Sequence, residues 1–383
     1  MAFVSRLFVL PHYCSPIADL SLVHNRRHKP KHNSYGTQKD DPVLTKVYIC
    51  LTMWHENRRE MKQFLKTLFR LDNDQAARYI AKNEESVCLD REAGIRDYYE
   101  FEAYIMFDDA METTESRDGG EKKREPYEFV QQLIEIISEA RMADYQVTIN
   151  LEPPSKLITP YGGRLERTLP GGNKLAVHLK DKLRIRHKKR WSQIMYLYYL
   201  IGYKLVNSEL QQTEKVKDFE SAQNIFENLP KSLNQQVENT YVMALDSDVD
   251  FSPEALQLLI DRMKKNTNVG ATCGRIKPGG SGPVMWYQKF EYAIGHWLQK
   301  SAEHVFGCVL CSPGCFSLFR AKALMDDNIM RTYANLPTEP KHYIHYDQGE
   351  DRWLCTLFLQ QGYRIEYCAA AEVLTFAPEE LQK

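Results

Sequence analysis

Short, nearly continuous apolar runs alternate along this chain with longer stretches whose apolar residues recur every three or four positions. Val47-Tyr48-Ile49-Cys50-Leu51-Thr52-Met53 is apolar on both sides of the two-residue repeat, which predicts a parallel strand buried on both faces. Trp54 to Asn57 then opens a helix in which Met61, Phe64, Leu65, Leu68, Phe69 and Leu71 make one apolar face. Glu100 to Phe107 predicts a second strand, Asp108 to Glu125 a charged loop, Tyr127 to Arg141 a helix, and Tyr145 to Leu151 a further strand. Prolines and glycines between Pro153 and Gly172 predict a series of turns. Trp191 to Val206 reads as a buried amphipathic helix: it is shorter than the roughly 20 residues that span a bilayer and contains Ser192, Gln193 and Lys204.

Residues 207–239 are polar, with a helical pattern near Phe226 only, and are expected on the surface. Tyr241 to Leu245 is another buried-strand run, and it ends in Asp246-Ser247-Asp248. Strands alternating with helices predict an α/β fold on a mostly parallel central sheet flanked by helices, whose ligands gather at the carboxyl ends of the strands. Residues 1–42 lack apolar periodicity and are expected to be a tail or linker, so the organisation reads as 1–42 followed by one domain over 43–383. The 50 Lys and Arg balance 51 Asp and Glu to a net charge of −1, which removes the general basic field that a nucleic-acid binder needs. Nine irregularly spaced cysteines in so long a chain read as reduced thiols, and the apolar patch Phe8 to Pro11 lacks the features of a signal peptide, so the folded part is expected to face the cytosol.

Within that frame four clusters carry chemistry. Asp246 and Asp248, one residue apart where a strand runs out, can face a common Mg²⁺ or Mn²⁺ and through it a diphosphate; the plainer reading is an acidic turn before a helix with Ser252 as N-cap and Pro253 in its first turn. Gly349-Glu350-Asp351-Arg352-Trp353 precedes an apolar helix, so that Asp351 is a candidate general base and Trp353 a surface for a sugar ring, or else the group merely caps that helix. His178 to Arg190 sets seven Lys and Arg against one acid, dense enough to meet a pyrophosphate, with Lys180 and Lys182 as candidate contacts, or to be a solvated basic helix. His304, Cys308, Cys311 and Cys315 have a spacing that zinc can use, although Cys311 to Phe316 reads more simply as a loop beside a cleft.

Taken in order, ICLTMWHEN, TPYGGRLERTLPGG, HLKDKLRIRHKKRWSQ, LDSDVDF, GSGPVMWYQKFEYAIGHWLQK, GCVLCSPGCFSLFRAKALMDDN and HYDQGEDRWLCTLFLQQGYRIEYCAA resemble the animal-type chitin synthases of glycosyltransferase family 2, over roughly residues 43–378. The resemblance implies a GT-A fold and a hexosyltransferase that inverts the donor centre, moving N-acetylglucosamine (GlcNAc) from UDP-GlcNAc to the 4-hydroxyl of a growing β-1,4 chain. It carries Thr52 and Glu56 over to the uridine pocket, Asp246 and Asp248 to the nucleotide and its cation, and Asp351 to the base. Pro313, Gly314, Cys315 and Trp353 match the acceptor side, where Glu350 and Arg352 flank the base. Leu51 and Ser247 stand where the family more often has small residues, without removing a functional group. The family also continues, past the point matching Lys383, into a Gln-Arg-Arg-Arg-Trp motif and transmembrane helices, which implies plasma-membrane association through those segments and is compatible with a homo-oligomer. A related synthase of hyaluronan or cellulose-like polymer, and a fragment that binds nucleotide sugar without turnover, are the competing readings.

Overall fold

The computed structural model describes residues 44–85, 98–114, 123–145, 153–205, 231–307, 309–325 and 327–376. The first half supplies strands β1 (Thr45–Met53) and β2 (Tyr99–Phe107), with helix α1 (Arg58–Glu85) between them. A small hairpin of β3 (Met111–Thr114) and β4 (Lys123–Pro126) leads to helix α2 (Glu128–Tyr145). Then come β5 (Ser155–Thr159), β6 (Gly162–Thr168), β7 (Lys174–Lys180) and α3 (Lys189–Leu197), which runs on as a π-helical turn over Tyr198–Leu205. The second half supplies β8 (Thr240–Asp246), β9 (Val249–Phe251), α4 (Pro253–Lys265), β10 (Val269–Pro278), β11 (Phe316–Arg320), α5 (Glu350–Gln360) and β12 (Arg364–Thr375).

Ten of these strands form one sheet in the order β5-β6-β7-β2-β1-β8-β11-β10-β12-β9. The centre, β7-β2-β1-β8, is parallel throughout, and β10 pairs parallel with β12; β11 and the outer strands add antiparallel pairings. Both faces are covered, as a parallel sheet requires. The two-residue repeat splits each central strand between two cores: Val47, Ile49, Leu51 and Met53 pack with α1, α2 and α4, whereas Tyr48 and Cys50 pack with α3 and α5. All six apolar positions that define the α1 face, Met61 to Leu71, are buried. The result is the layered α/β architecture that the strand and helix alternation implies, and it is consistent with the GT-A fold that the resemblance implies.

Two turn regions prove more ordered than their composition suggests. The charged segment after Phe107 contains the β3–β4 hairpin, and the Pro and Gly stretch after Pro153 contains the β5–β6 hairpin, turned at Pro160-Tyr161 and continuing the sheet beyond β7. Of the strand expected over Tyr145 to Leu151, Tyr145 closes α2 and the rest lies outside the described residues, as do the tail 1–42 and the pattern near Phe226. Ser252 occupies the N-cap position of α4 without a side-chain cap. Among the described residues no helix is long and apolar enough to cross a membrane.

Candidate active site

The register of β1 against β8 sets Thr52 directly beside Asp246, at the carboxyl ends of two adjacent parallel strands. Beyond this edge the loops diverge and leave a cavity of about 700 Å³, lined by Thr52, Glu56, Lys182, Lys189, Asp246 and Asp248 among others. Open parallel sheets offer their ligand crevice at this edge.

Glu56 joins the two loops. Its Oε1 accepts from the Ser247 hydroxyl at 2.8 Å and its Oε2 from the Trp54 N–H at 2.5 Å. Burial raises its pKa to about 6, against the opposing pull of those donors. Asp246 accepts from the Lys189 ammonium at both oxygens, at 2.8 and 2.9 Å. Asp248 Oδ2 accepts from the Thr375 hydroxyl at 2.6 Å, which ties the loop after β8 to the end of β12. Burial is the main cause raising the Asp248 pKa, and the neighbouring Asp246 charge adds to it. Two oxygen-rich, mutually repelling groups in one cavity suit a hard divalent cation, which neutralises both.

The second acidic cluster lies at the start of α5. Asp351 Oδ2 accepts the Gly314 N–H at 2.7 Å, so the Pro313-Gly314-Cys315 loop and the helix terminus meet at one carboxylate. Burial raises the Asp351 pKa, while Lys189 and the Gly314 N–H draw it down. Burial alone lowers the Lys189 pKa, but the charges of Asp246 and Asp351 outweigh it and the net shift is upward. Lys189 therefore stands in the field of both acidic motifs. Cys315 lies within electrostatic reach of Asp246, Lys189, Asp351 and Asp248, and burial lifts its thiol pKa well above the ordinary range. Glu350 is half-buried with a raised pKa, again chiefly from burial; Arg352 is exposed, and the Trp353 ring packs on Tyr346 at 4.9 Å.

Lys182 reaches the cavity wall, where it pairs with Asp109 at 3.0 Å. Lys180 is placed differently: it is fully buried, and its ammonium donates to Asp108 and to the Ser192 hydroxyl, both at 2.8 Å. The basic segment is no continuous helix, because His178 to Lys180 complete β7 and α3 begins only at Lys189. Cys308 lies outside the described residues, and His304 Nδ1 accepts the Tyr367 N–H at 3.3 Å. Among the described residues no three His, Cys, Asp or Glu side chains group as metal ligands. Lys189, Asp108 and Asp109 were not singled out from the sequence. The two aspartates end β2 much as Asp246 ends β8, which is the signal that could have found them.

The family model for chitin synthase matches residues 181–382, more than half of the chain and the part that carries both acidic motifs. This chain belongs to the chitin synthase family. Among its relatives, the chitin synthase chs-2 of Caenorhabditis elegans is 48% identical over 422 residues, an alignment covering 99% of this chain and 24% of that protein. A chitin synthase of Meloidogyne artiellia is 52% identical over 88% of this chain and 16% of its own length, and chs-1 of Caenorhabditis elegans 47% identical over 90% and 24%. The chain thus spans about a quarter or less of these family members.

Proposed function

We propose that this chain is the donor-binding and catalytic domain of an inverting, processive glycosyltransferase that takes GlcNAc from UDP-GlcNAc and adds it to the 4-hydroxyl of a growing β-1,4 chain. The observation that carries this reading is the position of Lys189, bonded to Asp246 inside the cavity and in the field of Asp351 beside it. A diphosphate-binding group and a candidate base thereby flank one space.

In this reading Thr52 and Glu56 line the uridine side, and Asp246 and Asp248 hold Mg²⁺ or Mn²⁺ together with the diphosphate. When bound, the cation supplies charge neutralisation for the departing UDP. Lys189 and Lys182 add to that neutralisation from the protein side. Asp351 accepts the proton of the attacking 4-hydroxyl as its oxygen bonds to C1 of the donor sugar and the C1–O bond to the β-phosphate breaks on the opposite face. No covalent intermediate with the protein is needed, and the product centre is inverted. A raised pKa suits Asp351 to this work, since a base is most effective when it titrates close to the working pH. Lys180, bonded to Asp108 and Ser192 beneath the cavity, acts by holding the floor in place. Pro313, Gly314, Cys315, Glu350, Arg352 and Trp353 form the acceptor side. The membrane attachment of the whole protein, with this domain facing the cytoplasm, is assigned to segments of the family members outside this chain.

The test is Asp351→Asn, assayed for transfer of GlcNAc to short chito-oligosaccharides by the longest form of the protein that carries this domain. Transfer is expected to fall roughly 100-fold or more while UDP-GlcNAc affinity stays within about threefold. Unchanged transfer, or an equal loss of donor affinity, would remove Asp351 from the role of base.

A further inference from the structure

Three consecutive residues at the start of α3 bind three different parts of the site. The Lys188 N–H donates to Asp108 Oδ2 at the end of β2, Lys189 bonds Asp246 at the end of β8, and Arg190 turns the other way, toward the segment before α5. The Arg190 guanidinium is fully buried. Its Nη1 donates to Asp347 Oδ1 at 2.6 Å, its Nε and Nη2 to the Tyr333 carbonyl at 3.3 and 3.1 Å, and its Nη2 also to the Asn335 carbonyl. The rings of Trp191, Tyr333 and Tyr346 surround it at 4.9, 5.9 and 5.4 Å. One turn along the same helix, Gln193 accepts from the Tyr333 hydroxyl.

The segment so held leads straight to the candidate base. Asp347 lies in a π-helical turn, Tyr343–Gln348, which passes through Gly349 into α5 and Asp351, and Tyr346 packs on Trp353. Single π-helical turns are frequent at functional sites. A strained point lies at the other end of the link, where Lys188 has φ 86° and ψ 152°, a region that side-chain-bearing residues rarely occupy. The Asp108 carboxylate and an ion pair to Asp347 at 3.8 Å fall on that same residue.

We propose that Arg190 is a positioning residue that couples donor occupancy to acceptor binding. Lys189 must redistribute its contacts when a diphosphate reaches Asp246. Arg190, next to it on a short and strained turn, passes that change through Asp347 and Tyr333 to the segment that presents Asp351 and Trp353. The planar, multiply bonded guanidinium is required, because an ammonium cannot serve Asp347 and two carbonyls in the same directions.

This inference rests on the proposed donor and acceptor sites and is tested by binding linkage, which needs no turnover. Titration of the GlcNAc tetramer into the chain, with and without saturating UDP and Mg²⁺, is expected to show about fivefold or greater tightening by UDP in the wild type. In Arg190→Lys and in Asp347→Asn the factor is expected to fall to near one, with UDP affinity kept within about twofold of the wild type. Coupling retained in a folded variant, coupling absent from a wild type that binds both ligands, or loss of UDP affinity together with the coupling would overturn the inference. A wild type that binds neither ligand would instead sink the functional reading beneath it.

Discussion

Glu56 shows how the site sets one residue's properties through its surroundings. Its carboxylate is drawn toward the apolar strand edge, and only the Ser247 hydroxyl and nearby N–H groups compensate the lost water. A carboxyl raised from 4.5 to about 6 favours the folded state fully below pH 4.5, and that contribution is lost as pH rises through about 6. Glu56→Gln should therefore gain stability relative to the wild type by about 1 kcal/mol between pH 4 and pH 7.5, after discounting for the open rim of the cavity. Denaturant unfolding at the two pH values checks this, and a stability difference that stays constant would contradict it. At this scale the sequence marks out acids that line the cavity more readily than the cations that meet them there. Asp246, Asp248 and Glu56 are marked out by following buried strands. Lys189 is one of seven cations in thirteen residues, of which Lys182, Lys188 and Lys189 line the cavity, and no local pattern separates these three from the rest. Lys180 falls beneath the floor because it follows His178 on the same face of β7, and both are fully buried.

The helix and loop that meet at Asp351 make a tighter claim at the scale of elements. A Cβ on Gly314 would stand 2.6 Å from Asp351 Oδ1, closer than real Cβ contacts come, so an added side chain forces the carboxylate or the loop to shift. Gly314→Ala should displace the carboxylate or the loop and lower GlcNAc transfer by roughly 10-fold to 100-fold, since small errors in placing a reacting group are costly. UDP-GlcNAc affinity should change little, because Gly314 does not line the donor cavity. Transfer kinetics alongside donor titration separate the two effects, and a variant with full transfer would show that the close fit has no function. The elements themselves were legible where burial is strong. Helix α1 and strands β1, β2 and β8 follow from apolar periodicity because the strands are buried on both faces and α1 packs one apolar face on the first core. The hairpins β3–β4 and β5–β6 were not, because their pairing partners decide their structure while their own residues are mostly polar and those of β5, Leu157 and Ile158 included, are largely exposed.

For the molecule as a whole, topology turns scattered motifs into one place. Residues 52, 182, 246 and 351 are far apart in the chain, yet the parallel order β7-β2-β1-β8 delivers the first three to one sheet edge. The reversed strand β11 returns the chain beside β8, so that the Pro313 loop comes to Asp351 close to Lys189. Strand order of this kind is not written in any local pattern, which is why the sequence could name candidate residues before it could say which of them share one edge. The central claim is that this edge is a cation-dependent nucleotide-sugar site. It is tested most directly by calorimetric titration of UDP-GlcNAc into the purified chain, with Mg²⁺ or with EDTA, on the wild type and on Asp248→Ala. The account predicts binding that needs Mg²⁺ and weakens at least roughly 10-fold in the variant, since even outer-shell partners of a metal site cost about that much when removed. Binding that is indifferent to both the metal and Asp248, or no binding to the wild type at all, would contradict it.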